Sequence, residues 1–94
     1  MKKTMKKTIE IEYIGIEDVW QILEYSRAVM SRGHYVNFSI NNTEGIPLVW
    51  VKIMLGGFVD SGNYDYSYEF YMSDKENDVD TMNKCKSMLR NLLV

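Results

Sequence analysis

From Thr8 to Ile14 the chain alternates, with Ile9, Ile11 and Tyr13 on one side and Thr8, Glu10 and Glu12 on the other. A period of two marks a strand with one buried face, and Gly15 closes it. From Ile16 the period lengthens. Ile16, Val19, Trp20, Leu23, Arg27 and Met30 recur at helical spacing, with Ile22 and Val29 widening the stripe. Glu17 and Asp18 in the first turn, and Arg27 and Arg32 towards the other end, suit the helix dipole. Gly33 suits the position just past a helix end. The pattern predicts a helix over Glu17 to Arg32.

Alternation returns from Tyr35 to Asn41, with Val36, Phe38 and Ile40 opposed to Tyr35, Asn37, Ser39 and Asn41. A polar loop from Asn42 to Pro47 leads to a strand over Leu48 to Leu55. Lys52 orients that strand, because an unpaired lysine is almost never fully buried. Val49, Val51, Ile53 and Leu55 are therefore assigned to the core, and Leu48, Trp50, Lys52 and Met54 to the outer face. The next strand runs from Tyr64 to Met72, with Tyr64, Tyr66, Tyr68, Phe70 and Met72 inside and Asp65, Ser67, Glu69 and Tyr71 outside. Core positions are odd in one strand and even in the next, so a hairpin joining them needs a loop of even length. A two-residue turn at Ser61-Gly62 or Gly62-Asn63, with Gly62 at positive φ, meets that condition. Gly56-Gly57 reads as a bulge or bend within the first arm. Ser73 to Glu76 has the form of a capping box, with Asn77 as an alternative cap. The last helix carries Val79, Met82, Cys85, Leu89 and Leu92 at three-to-four spacing, with Met88 alongside.

The order is β-α-β-β-β-α. It predicts an α+β fold with one four-stranded, mostly antiparallel sheet and two helices packed on one face. The expected core is Ile9, Ile11, Val19, Leu23, Met30, Val36, Phe38, Val51, Ile53, Tyr66, Phe70, Cys85 and Leu89. Residues 1–7 are expected to be a basic, frayed tail and residues 8–94 a single domain, as the length of 94 residues suggests.

Charge narrows the functional classes. The net charge is −2 and the pI about 5.3, which disfavours a general nucleic-acid binder. Lys2, Lys3, Lys6 and Lys7 are the local exception and read as a solubilising tail. No apolar run follows them and no stretch of about 20 apolar residues occurs, so a cytoplasmic protein without a membrane partner is expected. Cys85 is the single cysteine, so no internal disulfide can form.

The sequence offers little for chemistry, and no catalytic residue, cofactor or metal is expected. His34 has no nucleophile or orienting carboxylate near it in sequence. Cys85 falls on an apolar helix position, where a thiol is inert. Asp74, Glu76, Asp78 and Asp80 lack the glycine and closing glutamate of a calcium loop. Gly56-Gly57 is followed by neither lysine nor a helix, so no phosphate-binding loop is indicated.

What remains is the outer sheet face. Trp50, Tyr35, Tyr71 and Met54 are large for an exposed position, and Asp65, Glu69, Glu10 and Glu12 share the face. Interface cores are enriched in Trp, Tyr and Met. These eight residues are the expected partner-binding set, on a non-enzymatic protein-binding module. The acids further suggest an inhibitor that docks on the basic groove of a larger nucleic-acid-handling protein. Small phage-encoded inhibitors, anti-CRISPR proteins among them, are similar in size and acidity, a likeness that no motif sharpens. Two other readings use the same face: a homodimeric structural subunit, and a weak single-stranded nucleic-acid binder that stacks bases on the aromatics. Acids on the face make nucleic acid the lesser of the two.

Overall fold

The computed structural model describes residues 14–60 and 62–94. Its elements are α1 (Ile16–Met30), β1 (Tyr35–Thr43), β2 (Ile46–Met54), β3 (Tyr66–Tyr71) and α2 (Glu76–Asn91). The strands form a three-stranded antiparallel meander in the order β1-β2-β3. This corrects the expected four-stranded sheet and the order β-α-β-β-β-α: among the described residues the order is α-β-β-β-α. The strand expected over Thr8 to Ile14 lies outside the described residues except for Ile14, which is not in a strand. Ile14 is instead a core residue, 1% exposed, whose N–H donates to the Ser73 carbonyl at 3.2 Å beyond the end of β3.

The first hairpin is tighter than its polar composition suggested. Glu44 (φ 56°) and Gly45 (φ 86°) make a two-residue turn with both φ values positive. Asn42 Oδ1 accepts the Gly45 N–H at 3.1 Å. Pairing therefore reaches Thr43↔Ile46 and includes Pro47 opposite Asn42. Pro47 is tolerated there because its carbonyl points to the other side, accepting Met72 N–H at 3.0 Å. Its missing N–H takes nothing from the β1–β2 ladder.

The second connection departs from the expected tight hairpin. β2 and β3 pair in the register Val49↔Phe70, Val51↔Tyr68 and Ile53↔Tyr66, which keeps the anticipated parity but not the turn at Gly62. Gly56 (φ 80°) and Gly57 (φ 116°) take the positive φ values and turn the chain out of the ladder just after Met54. Alternation stops there, so Leu55 is exposed at 42% and not in the core, while Met54 keeps its outward place in the ladder yet is buried at 5%.

Both helices pack on the inner face of the sheet, α1 over β1 and α2 over β3, and they touch each other. Val49, Val51, Ile53, Phe70, Cys85 and Leu89 are sealed in the core with Val19, Ile22 and Val29. The helix α1 buries Val19, Ile22, Ser26 and Val29, not the bulkier expected stripe. Ile16, Trp20 and Met30 lie on its surface, which removes Met30 from the core. Two apolar stripes share this helix about 100° apart, at 100° per residue. The small Ser26 marks the buried one, because it lets the helix approach closely.

An ion pair ties the helices together. Lys86 Nζ on α2 lies 2.7 Å from Asp18 Oδ1 on α1, and Asp18 Oδ2 also accepts the Gly15 N–H at 2.9 Å, capping the start of α1. Lys86 is itself buried. At α2 the expected Ser73–Glu76 capping box is absent. Lys75 is the N-cap without a side-chain cap, and Ser73 Oγ donates to Asp78 Oδ2 at 2.7 Å. Asp78 Oδ1 accepts Tyr71 N–H at 3.1 Å, which pins the end of β3 to α2.

Burial alone would raise the Asp18 pKa, but the Lys86 hydrogen bond, the Gly15 N–H and the Lys86 charge together hold it below the ordinary 3.8. A depressed folded pKa adds stability above the unfolded value and loses it as pH falls through the folded one. Asp18→Asn should therefore cost about 2 kcal/mol at pH 7, between exposed and buried pairs. The deficit should begin to shrink below about pH 4, where the unfolded carboxylate protonates, and vanish as the native carboxylate follows at lower pH, as urea melts at pH 7 and pH 3 would measure. Ser26 Oγ is buried and has no hydrogen-bond partner among the described residues. Ser26→Ala should accordingly raise stability by about 1 kcal/mol, read as a higher urea midpoint with an unchanged slope.

Candidate functional site

The outer face of the sheet is the side away from both helices. The two registers set its rows directly: Asn41, Leu48 and Tyr71; Ser39, Trp50 and Glu69; Asn37, Lys52 and Ser67; and Tyr35 beside Met54. Trp50, Tyr35, Tyr71, Met54 and Glu69 thus share one face, as the alternation anticipated. Asp65 lies at its margin in the β2–β3 connection. Glu10 and Glu12 lie outside the described residues.

Two aromatics join the face that the pattern did not place there. The connection after Gly57 folds back over the Tyr35–Met54 row. Phe58 packs edge-on against Tyr35, with ring centroids 5.1 Å apart, and Tyr64 stacks on the other side of the cluster at 6.5 Å from Tyr35. Extending the β3 alternation backwards assigns Tyr64 to the inner face. The strand begins only at Tyr66, so that extension has no ladder to rest on. The signal for Phe58 was the Gly56-Gly57 pair immediately before it, which turns the chain off the sheet. The fold-back also explains the burial of Met54, whose Sδ accepts Val59 N–H at 3.4 Å.

Lys52 sits inside this cluster. Its Nζ lies 4.5 Å from the Trp50 ring centroid and 5.7 Å from that of Tyr64, with Glu69 Oε2 at 3.8 Å. Lys52 points outward as assigned, but its side chain is only 21% exposed. Aromatic faces and a carboxylate satisfy the charge where water otherwise would. Asp65 is engaged as well, Oδ2 accepting Leu55 N–H at 2.8 Å. The acids of this face therefore act largely within the protein. Its exposed surface is polar at Asn41, Ser67 and Glu69 and apolar at one end, where Phe58 is 58% and Val59 55% exposed, with Tyr64 and Tyr71 at 36% and 38%.

Among the described residues His34 and Cys85 sit in separate places and join no metal-binding cluster. His34 Nδ1 accepts Gly56 N–H at 3.0 Å, so the imidazole fastens the connection to the end of α1. Among the described residues no three His, Cys, Asp or Glu side chains come together as a metal site. An open groove of about 490 Å³ lies between Tyr68 and the exposed side of α2, and a smaller one of about 160 Å³ between the β1–β2 turn and Asp78. Cys85 is fully buried, and burial pushes its thiol up to about 12 against the partial opposition of Lys86.

A thiol shifted from 9.0 to about 12 holds on the order of a thousandfold less thiolate at pH 8. Folded protein should therefore resist Ellman's reagent, with full labelling only in denaturant. Rapid labelling without denaturant would mean that α2 opens.

No protein-family model matches this chain, and no curated protein is significantly similar to it.

Proposed function

We propose that this protein is a non-enzymatic protein-binding module that engages a partner through the outer face of its sheet and the aromatic connection above it. One observation carries the reading: Phe58 and Val59 are more than half exposed at the tip of a cluster containing Tyr35, Tyr64, Met54 and Trp50. An apolar centre bordered by polar residues is the anatomy of an interface, and anchored aromatics are its usual hot spots. Asn37 Nδ2 donates to the Tyr64 hydroxyl at 3.4 Å, which helps to hold the cluster in place before binding.

Among the described residues several reactive groups already serve the fold. Cys85 is sealed in the core, His34 is a hydrogen-bond acceptor for the chain, and Asp18, Asp65 and Asp78 anchor backbone N–H groups. An inhibitor of a basic, nucleic-acid-handling protein would use this same face. The pairing of Glu69 with Lys52 shifts the weight of that reading from charge to aromatic contact. Nucleic acid is less favoured, because the lysine on the face is already occupied by Trp50 and Glu69.

The test is paired substitution of exposed rings. Phe58→Ser with Tyr71→Ser should lower the thermal midpoint by no more than about 8 °C, the shift for about 1 kcal/mol in a domain of this size. It should weaken partner capture at least about tenfold, the loss typical of a removed hot spot. A photo-crosslinker at position 58 should trap the same partner, and one at Lys84 should not. Undiminished capture by the double variant would sink the assignment to this face.

A further inference from the structure

The exposed stripe of α1 has a spacing that the protein-binding face does not explain. Ile16, Trp20, Leu23, Arg27 and Met30 alternate in steps of four and three, the seam of a helix that packs along another helix. Ile16 is 56%, Trp20 58% and Met30 43% exposed, and the Arg27 side chain is 76% exposed. Asp18 and Tyr25 face α2, through Lys86 and through Arg90 at 6.0 Å from the Tyr25 ring. At 100° per residue the seam lies half a turn round from them. Since α1 covers β1 and α2 covers β3, the seam looks outward past the β1 edge of the sheet.

Among the described residues that edge is itself open. β1 pairs only with β2, and no strand takes its other side among the described residues. Its nine residues, Tyr35–Thr43, include no charged side chain and no proline. Natural edge strands are usually blunted by such residues. The Pro47 carbonyl points towards β3, so Thr43↔Ile46 is the hydrogen-bonded pair and the backbone groups of Val36, Phe38, Ile40 and Asn42 point to the open side.

We propose that the occupant of this side is a second copy of the chain, related by a two-fold axis that pairs β1 antiparallel with β1 and α1 antiparallel with α1. A single axis satisfies both surfaces, because an isologous contact is self-complementary. Charge selects the antiparallel sense. The exposed charges at the two ends of α1 differ, acidic in the first turn at Glu17 and basic in the last turn at Arg27 and just beyond it at Arg32, with Glu24 between them paired to Arg27 on the same helix. Antiparallel pairing sets acid against base, whereas parallel pairing sets like against like. The six-stranded sheet so formed leaves the outer face with Trp50 and Phe58 free on both protomers, so this dimer and the proposed partner binding fail independently.

Sedimentation velocity on the full chain, from about 10 to 500 µM to cover weak interfaces of this kind, should show a monomer moving to a dimer. The amides of Val36, Phe38 and Ile40 should exchange more slowly at the higher concentration. Trp20→Glu should weaken association at least tenfold with the far-UV spectrum unchanged. Two charge variants provide the decisive arm. Glu17→Arg with Glu24→Arg should not self-associate, nor should Arg27→Glu with Arg32→Glu, yet an equimolar mixture should form a heterodimer. A wild-type chain that stays monomeric throughout overturns the proposal. So does a dimer that survives both charge variants and is lost on Trp50→Ala with Tyr71→Ala, which would move the contact to the sheet face.

Discussion

Strand β2 is paired along both edges and packed on both faces, and the rest of the molecule takes its positions from it. Val49, Val51 and Ile53 have no exposed surface, while Leu48, Trp50 and Lys52 point the other way. A slip of one residue in either register would exchange these two sets. It would drive Lys52 into the core and expose three aliphatic side chains. The cost of that exchange fixes β1 and β3 in place, and with them the rows of both faces.

The helices then divide the sheet's inner side between them, and neither reaches the outer side. Their mutual position rests on one charged contact, Lys86 with Asp18. That contact does two things at once, since the same carboxylate caps the first turn of α1. A buried lysine is tolerated because its partner and the capped N–H share the desolvation. The same economy recurs at Asp78, which joins β3 to α2, and at Asp65, which closes the long connection. Carboxylates that looked in the sequence like a reservoir for chemistry or charge recognition are anchors for backbone N–H groups.

The connection between β2 and β3 gives the surface its character. Two glycines at positive φ, which only glycine adopts without strain, release the chain from the ladder and send it back over the outer face. Phe58 and Tyr64 then gather around Tyr35, and Lys52 is enclosed by rings. An ordinary polar sheet face becomes an aromatic ridge. Flexible loops rarely present such a ridge in one conformation. Here His34 and Met54 bond the loop backbone to the body of the protein, and Asp65 closes the two ends of the loop on each other.

Much of this was legible in the residue pattern, for a physical reason: a period of two or 3.6 acts over a few neighbouring residues and needs no distant partner. The alternation of Val49 to Ile53, the exit of Lys52, the inward Phe70 and the stripe Met82, Cys85, Leu89 are all local facts, and each stands in the structure. The outer rows around Trp50 follow from the same alternation. Where the pattern misled, the deciding contact was remote. Helix α1 carries two apolar stripes, and only the close approach of the sheet selects the one through Ser26 over the one through Trp20. Leu55 is exposed and Met54 is covered on the outer face because the chain turns back at Gly56-Gly57, and the pairing Ile53↔Tyr66, not the tight turn near Gly62, sets the register. Lys86 reads as a surface lysine until Asp18, 68 residues away, meets it. The sequence by itself determined which residues could bury a face; which faces meet, and which aromatics are left to solvent, only the tertiary packing decided.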